Sequence, residues 1–208
     1  MISKGFTKGI KDDQGKMLWY LIIATIPAAI AGVLFEDVIE NAIRKNYVII
    51  ALALAIMGVI IYCADKYSKS NNSLKKMSMK DAIIIGCSQV LALIPGFSRS
   101  GTTIAAGRVL GINREDAAKF SFYLSAPVVC GALVLQLLKK ATWTVIAANL
   151  TTFILGVLIS FIVGLLCIKY LLKYLHNHNF KIFMIYRIIL AIIAVSYTHL
   201  TLPTIYSV

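Results

Sequence analysis

Residues 47–64 form an eighteen-residue run with no charged side chain. About 20 apolar residues in helical form cross the hydrocarbon of a bilayer, so a run of this length reads as a membrane span. Hydrocarbon offers backbone N–H and C=O groups no water, which leaves helices or closed barrels as the spanning structures. Similar apolar runs occur at 18–35 (with Pro27 and Gly32 inside), 117–138, 145–168 and 182–195. Hydrophobic residues make up 59% of the chain and charged residues 14%, where a soluble domain has roughly half and a quarter. The pattern predicts an all-α integral membrane protein, a single membrane domain over residues 1–195 with about five transmembrane helices.

Two further apolar stretches are too short to cross. One, 82–94, ends at Pro95, and the other, 103–111, follows a glycine-containing break. Half-length segments around such a break predict a re-entrant helical hairpin over 82–111, because irregular backbone at membrane depth survives only where protein buries it or a cavity faces it. The lysines agree. Lys66, Lys69, Lys75, Lys76 and Lys80 mark 65–80 as cytoplasmic, and Lys169, Lys173 and Lys181 mark 169–181 likewise. Both stay inside only if 82–111 enters and leaves on one side. Lys139 and Lys140 are the one pair left outside by this scheme. Residues 1–16, with Lys4, Lys8, Lys11 and Lys16 and no apolar core, read as a hydrophilic cytoplasmic loop. The net charge of +12 is spread between the apolar runs, so it suits anionic lipid and not nucleic acid. Cys63, Cys87, Cys130 and Cys167 show no metal spacing and read as small buried hydrophobes.

Between the half-segments lies Pro95-Gly96-Phe97-Ser98-Arg99-Ser100-Gly101-Thr102-Thr103. An arginine at membrane depth is costly and marks a functional site by default. Its planar fork of donors matches phosphate oxygens two at a time. Ser98, Ser100, Thr102 and Thr103 add hydroxyls, and Gly96 and Gly101 let backbone N–H groups approach closely. No acidic residue within 82–111 can neutralise Arg99 internally. A helix beginning near Gly101 or Thr102 would aim its free N–H groups at the loop. The same serines and threonines also suit plain helix capping. Gln89, on the first half-segment, either reaches the site or bonds a neighbouring helix.

Other polar residues carry weaker signals. Arg114, Glu115 and Asp116 look like the solvated start of the next span, with Asn113 as N-cap. Glu36, Asp37 and Glu40 sit at an external helix end, as a solvated face or, on weaker grounds, a divalent-cation site. His176 and His178 fall in a loop. No Glu, Asp or His is placed near the loop as a general base, so the motif reads as a binding site or as half of an active site.

The run Gly86-Cys87-Ser88-Gln89-Val90-Leu91-Ala92-Leu93-Ile94 leading into that loop, with the loop itself, resembles the second signature motif of the bacterial undecaprenyl-diphosphate phosphatases, the bacitracin-resistance membrane phosphatases. Phe120-Ser121-Phe122-Tyr123-Leu124-Ser125-Ala126-Pro127 is also similar, and the likeness extends from about residue 17 to residue 195. The resemblance implies hydrolysis of undecaprenyl diphosphate to undecaprenyl phosphate and phosphate, which recycles the carrier lipid of cell-wall synthesis. It implies an inverted-repeat fold with two re-entrant hairpins, of which this chain would hold one, in the bacterial inner (cytoplasmic) membrane with the site opening to the external face. It implies Arg99 as the essential arginine, with Ser98, Ser100 and Thr103 as hydroxyls lining the phosphate site. Together with the residue reading above, the candidate catalytic pair is Arg99 and Ser98, and the candidate phosphate-binding residues are Ser100, Gly101, Thr102, Thr103, Gly96 and Gln89. A divalent cation, Mg²⁺ or Ca²⁺, is implied as cofactor. The partners implied are a polyprenyl diphosphate lipid and the bilayer, with a homodimer left open. Two alternatives stand beside the enzyme: a transporter that flips polyprenyl phosphate, and a non-catalytic lipid-phosphate binder.

One departure from the family pattern is large. Its first motif, a glutamate-rich hairpin followed by a Ser-Ser-Thr-Gly-His run, has no match in residues 1–81. The resemblance assigns the base, the metal ligands and a candidate nucleophile to that motif, so the chain reads as an N-terminally truncated member. The tail 196–208, including Ser196-Tyr197-Thr198-His199-Leu200-Thr201-Leu202-Pro203-Thr204, breaks the apolar pattern and resembles translated sequencing adapter. The chain alone is expected to be inactive, and phosphate release by the purified chain would contradict this.

Overall fold

The computed structural model describes residues 13–35, 46–68 and 72–205, with side chains described between 15 and 197. The expectations resting on Lys4, Lys8, Lys11, Glu36, Asp37, Glu40, Lys69 and His199 lie outside the described side chains. The described residues are helical almost throughout. The helices are α1 (Asp13–Leu34), α2 (Tyr47–Tyr67), α3 (Met79–Ser88), α4 (Arg99–Val109), α5 (Arg114–Leu137), α6 (Lys140–Ala148), α7 (Leu150–Asn177) and α8 (Lys181–Ile205). By length and composition α1, α2, α5 and α7 can each cross a membrane, which makes this a multi-pass membrane protein.

Local chemistry sets the boundaries. Asn46 caps α2 by accepting from the Ile49 N–H at 3.2 Å. Ser78 and Asp81 form a reciprocal capping box at the start of α3. Asn113 caps α5, its Oδ1 accepting from the Asp116 N–H at 2.8 Å, as the sequence predicted. Helices α3 and α4 have 10 and 11 residues. At 1.5 Å per residue each covers roughly half of a 30 Å hydrocarbon layer. A 3-10 segment (Gln89–Leu93) and a tight turn join them.

The two ends of this helical hairpin meet. The Asn72 N–H donates to the Gly111 carbonyl at 2.9 Å, and the Asn113 N–H donates to the Asn72 carbonyl at 2.9 Å. The chain therefore enters α3 and leaves α4 at one level. A buried charge cluster fixes the same level. Asp65, near the end of α2, accepts from Arg108 Nε at 2.9 Å and from Arg114 Nε at 2.7 Å. Arg108 spends a further donor on the Ile112 carbonyl. Arg114 is thus a partner of a buried carboxylate and not a plain solvated residue, contrary to the sequence reading. Glu115 does face outward and pairs with Lys119 at 2.6 Å, whereas Asp116 is half-buried, contrary to the sequence reading, its Oδ2 accepting from the Leu74 N–H at 2.9 Å. His176 lies in the last turn of α7, not in a loop, and meets Glu115 at 3.0 Å.

Helix α2 is held between α8 and α4, while α1 packs on α3 and α5. Met57, Ile85, Phe120, Leu124 and Leu175 form the best-buried centre. Outside that centre the helices present apolar surface. Phe153, Leu158, Phe161 and Leu165 of α7 are all exposed, as suits a helix solvated by lipid. Cys87, Cys130 and Cys167 also lie on the outward surface, where the sequence reading had them buried.

One predicted span is wrong in its bounds. The run 145–168 breaks at Asn149, whose φ of −130° and ψ of 38° end α6. The Asn149 side chain returns to the Val145 carbonyl at 3.3 Å, and Trp143 Nε1 bonds the Leu137 carbonyl at 2.8 Å. These bonds fold 140–148 into a corner helix, and the helix long and apolar enough to cross runs from Leu150 to Asn177. At the other end, α8 continues helical through residue 196 to Ile205.

Removing one member of a buried ion pair leaves the other charge desolvated, at a cost of about 3–5 kcal/mol. Asp65→Ala is accordingly expected to lower the unfolding temperature in detergent sharply. Lys119→Ala removes only a partly exposed pair, with an effect of about 0.5 kcal/mol or less. Equal effects of the two, measured by thermal unfolding, would contradict the staple role of Asp65.

Candidate functional site

The turn between the short helices is built around Gly96. Its φ is 98°, in the left-handed region that costs side-chain-bearing residues energy. A Cβ there would also press into the Ile50 carbonyl oxygen and lie 3.0 Å from the Ala53 Cβ. The glycine lets the turn sit directly on the backbone of α2.

Ser98 follows in an unusual conformation. With φ of 61° and ψ of 115° it is the one described non-glycine residue at positive φ. Such backbone costs about 1–3 kcal/mol and persists only where its surroundings hold it. Ser98 caps α4, its Oγ accepting from the Gly101 N–H at 3.3 Å. The helix therefore begins at Arg99, two or three residues earlier than the sequence suggested. Its first N–H groups, which lack intrahelical acceptors, belong to the arginine and serine of the motif themselves.

The predicted ring of hydroxyls divides in two. Ser98 and Ser100 stand 3.4 Å apart, Oγ to Oγ, and with Gly101 line a cavity of about 100 Å³. Thr102 and Thr103 turn inward instead. Both hydroxyls donate to the Arg99 carbonyl at 2.9 Å, and Thr103 also meets Ser121 Oγ at 2.7 Å. They brace the first turn of α4 from behind. Ser121 belongs to α5, so this buried bond ties the motif to the next span. Gln89 is buried with Oε1 lacking a partner among the described residues, and it does not line the cavity.

Arg99 is half-buried, and among the described residues no carboxylate pairs with it. The cavity beside its serines has apolar walls from Met57, Ile61, Phe180 and Phe183. The arginine that lines this cavity is Arg187 of α8. The sequence reading did not single it out. The signal was available, because Arg187 stands inside the apolar run 182–195, and the rule applied to Arg99 covers it equally. Asp65 and Arg108 escaped notice for a different reason. They lie 43 residues apart in sequence, and only folding reveals them as a pair.

Ser98, Ser100 and the first turn of α4 thus lie together at this cavity, and Arg99, on the same turn, is not one of its lining residues.

Comparison with known proteins identifies the family. The family described as bacitracin resistance protein BacA matches residues 1–193, a stretch that begins earlier than the similarity read from the sequence. The chain is similar to the undecaprenyl-diphosphatase of Elusimicrobium minutum, 47% identical over 195 residues, 94% of this chain and 72% of that protein. It is 43% identical over 187 residues to the undecaprenyl-diphosphatase of Caldicellulosiruptor bescii, covering 90% of this chain and 70% of that one. A third, from Methanobrevibacter smithii, is 41% identical over 203 residues, 96% of this chain and 73% of its own length.

Replacing a positive-φ glycine by alanine destabilises by more than about 1 kcal/mol, and at Gly96 the crowding against α2 adds to this. Gly96→Ala is expected to lower the unfolding temperature well below that of Gly131→Ala, since open space surrounds Gly131 on α5. Indistinguishable melting curves for the two would mean that the turn does not need its glycine.

Proposed function

The chain belongs to the bacitracin resistance protein BacA family, and from that premise we propose that it serves the hydrolysis of undecaprenyl diphosphate to undecaprenyl phosphate and inorganic phosphate. One water is consumed and the P–O–P bond is broken. The observation that carries this reading is Arg99 at the first turn of α4, with no carboxylate of the described residues to neutralise it. The lipid's terminal phosphate is its counter-ion. Phosphoryl transfer spreads charge over the phosphoryl oxygens, and fixed donors stabilise that charge without reorganising. Arg99 and the free N–H groups of α4 supply those donors. Ser98 touches the same group, held by its capping bond and strained backbone. Ser100 and Gly101 complete the wall, while Thr102 and Thr103 hold the Arg99 carbonyl in place.

Helices α3 and α4 act as a re-entrant hairpin within five crossings, α1, α2, α5, α7 and α8. Their half-length and the joining of Asn72 to Gly111 and Asn113 at a single level support this. Lys66, Lys75, Lys76 and Lys80 lie on or near the elements at that level. By the positive-inside rule that level is cytoplasmic, and the hairpin tip points to the external face of the inner membrane.

The divalent cation implied by the resemblance does not fit this cavity. Mg²⁺ and Ca²⁺ seek carboxylate and carbonyl oxygens, whereas the polar lining here is two serine hydroxyls and a guanidinium.

The test uses the chain in nanodiscs, with binding of undecaprenyl diphosphate and release of phosphate as readouts. Release is followed for the chain alone and with the uncovered part of the Elusimicrobium minutum relative supplied. A charge-assisted hydrogen bond contributes about 1.5–3 kcal/mol, so Arg99→Ala is expected to weaken binding by roughly ten- to a hundredfold. Unchanged binding in Arg99→Ala would refute the site. Lipid flipping without hydrolysis in every version would favour the transporter.

A further inference from the structure

Arg187 stands at membrane depth in α8, and among the described residues no carboxylate pairs with it. Its guanidinium donates in two directions. Nε bonds the Leu54 carbonyl of α2 at 3.0 Å, and Nη2 bonds the Gly96 carbonyl of the motif turn at 2.6 Å. The approach depends on Gly58, where a Cβ would lie 3.2 Å from the Arg187 Cβ and 3.5 Å from the Met184 Cα. A small residue on α2 thus brings α8 close enough for the fork to reach across. The two carbonyls belong to the surfaces that Gly96 itself presses together, because Gly96 packs against the backbone from Ile50 to Leu54.

We propose that Arg187 is a positioning residue of the phosphate site: its fork clamps the Gly96 turn to α2 and so holds Ser98 and Arg99 in their working geometry. The inference rests on the proposed function for the nature of the ligand, and on geometry alone for the clamp. Gly96 precedes Ser98 by two residues, and Ser98 keeps its positive φ only if the turn before it is fixed. A lysine cannot replace the fork, since an ammonium on a flexible stem does not present two donors in fixed directions.

The test compares Arg187→Gln, Arg187→Lys and the wild-type chain in nanodiscs. Amide hydrogen exchange over residues 94–103 reads the clamp, and equilibrium binding of farnesyl diphosphate reads the site. Both variants are expected to exchange at least tenfold faster in that peptide, with α7 unchanged, and to bind at least tenfold more weakly. Wild-type exchange in Arg187→Gln, or full rescue of binding and protection by Arg187→Lys, would overturn the proposal. If both variants fail to fold, Gly58→Val, which displaces the guanidinium and keeps its charge, is expected to give the same faster exchange, and unchanged exchange there would equally overturn it. A wild-type chain that binds no diphosphate would count against the proposed function, whereas the exchange arm still reads Arg187 alone.

Discussion

A buried carboxylate between two guanidinium groups sets the level from which the rest of the structure is measured. Asp65 and Arg108 are both almost fully buried, and neither charge could remain there without the other. Their pairing requires the end of α2 and the end of α4 to sit side by side. Arg114 joins from the start of α5, and Asn72 adds backbone bonds to Gly111 and Asn113. Once these ends are fixed, α3 and α4 pack against each other and the motif turn joins them at the opposite end.

At the tip, the same rule of satisfaction produces a different result. Arg187 satisfies itself on two carbonyls, and the inward threonines satisfy themselves on a third. Among the described residues the Arg99 charge is left without a carboxylate. Ser98 holds its positive φ beside it, with its Oγ capping α4.

Much of the fold was legible beforehand. Apolar runs announced long membrane-compatible helices, and the half-length segments around Pro95 and Gly96 announced two short helices joined by a turn. The Asn113 cap was readable because capping is a local matter of one side chain and a few N–H groups. The Asn149 corner was not readable. A single asparagine in an apolar run can be carried within a helix or can end it, and the bonds of Trp143 and Asn149 to neighbouring carbonyls decide which. At the site, the motif and its chemistry were visible as residue types. The division of its hydroxyls was not, because Thr103 turns toward Ser121, eighteen residues away.

Sequence alone determined that this chain is helical and lives in a membrane, since composition and local spacing dictate solvent and periodicity. Tertiary structure alone decided which arginine bonds backbone carbonyls and which is buried with an acid. A helix's periodicity fixes its faces only relative to its own axis, and the rotation of each helix against its neighbours is set by packing among residues far apart along the chain.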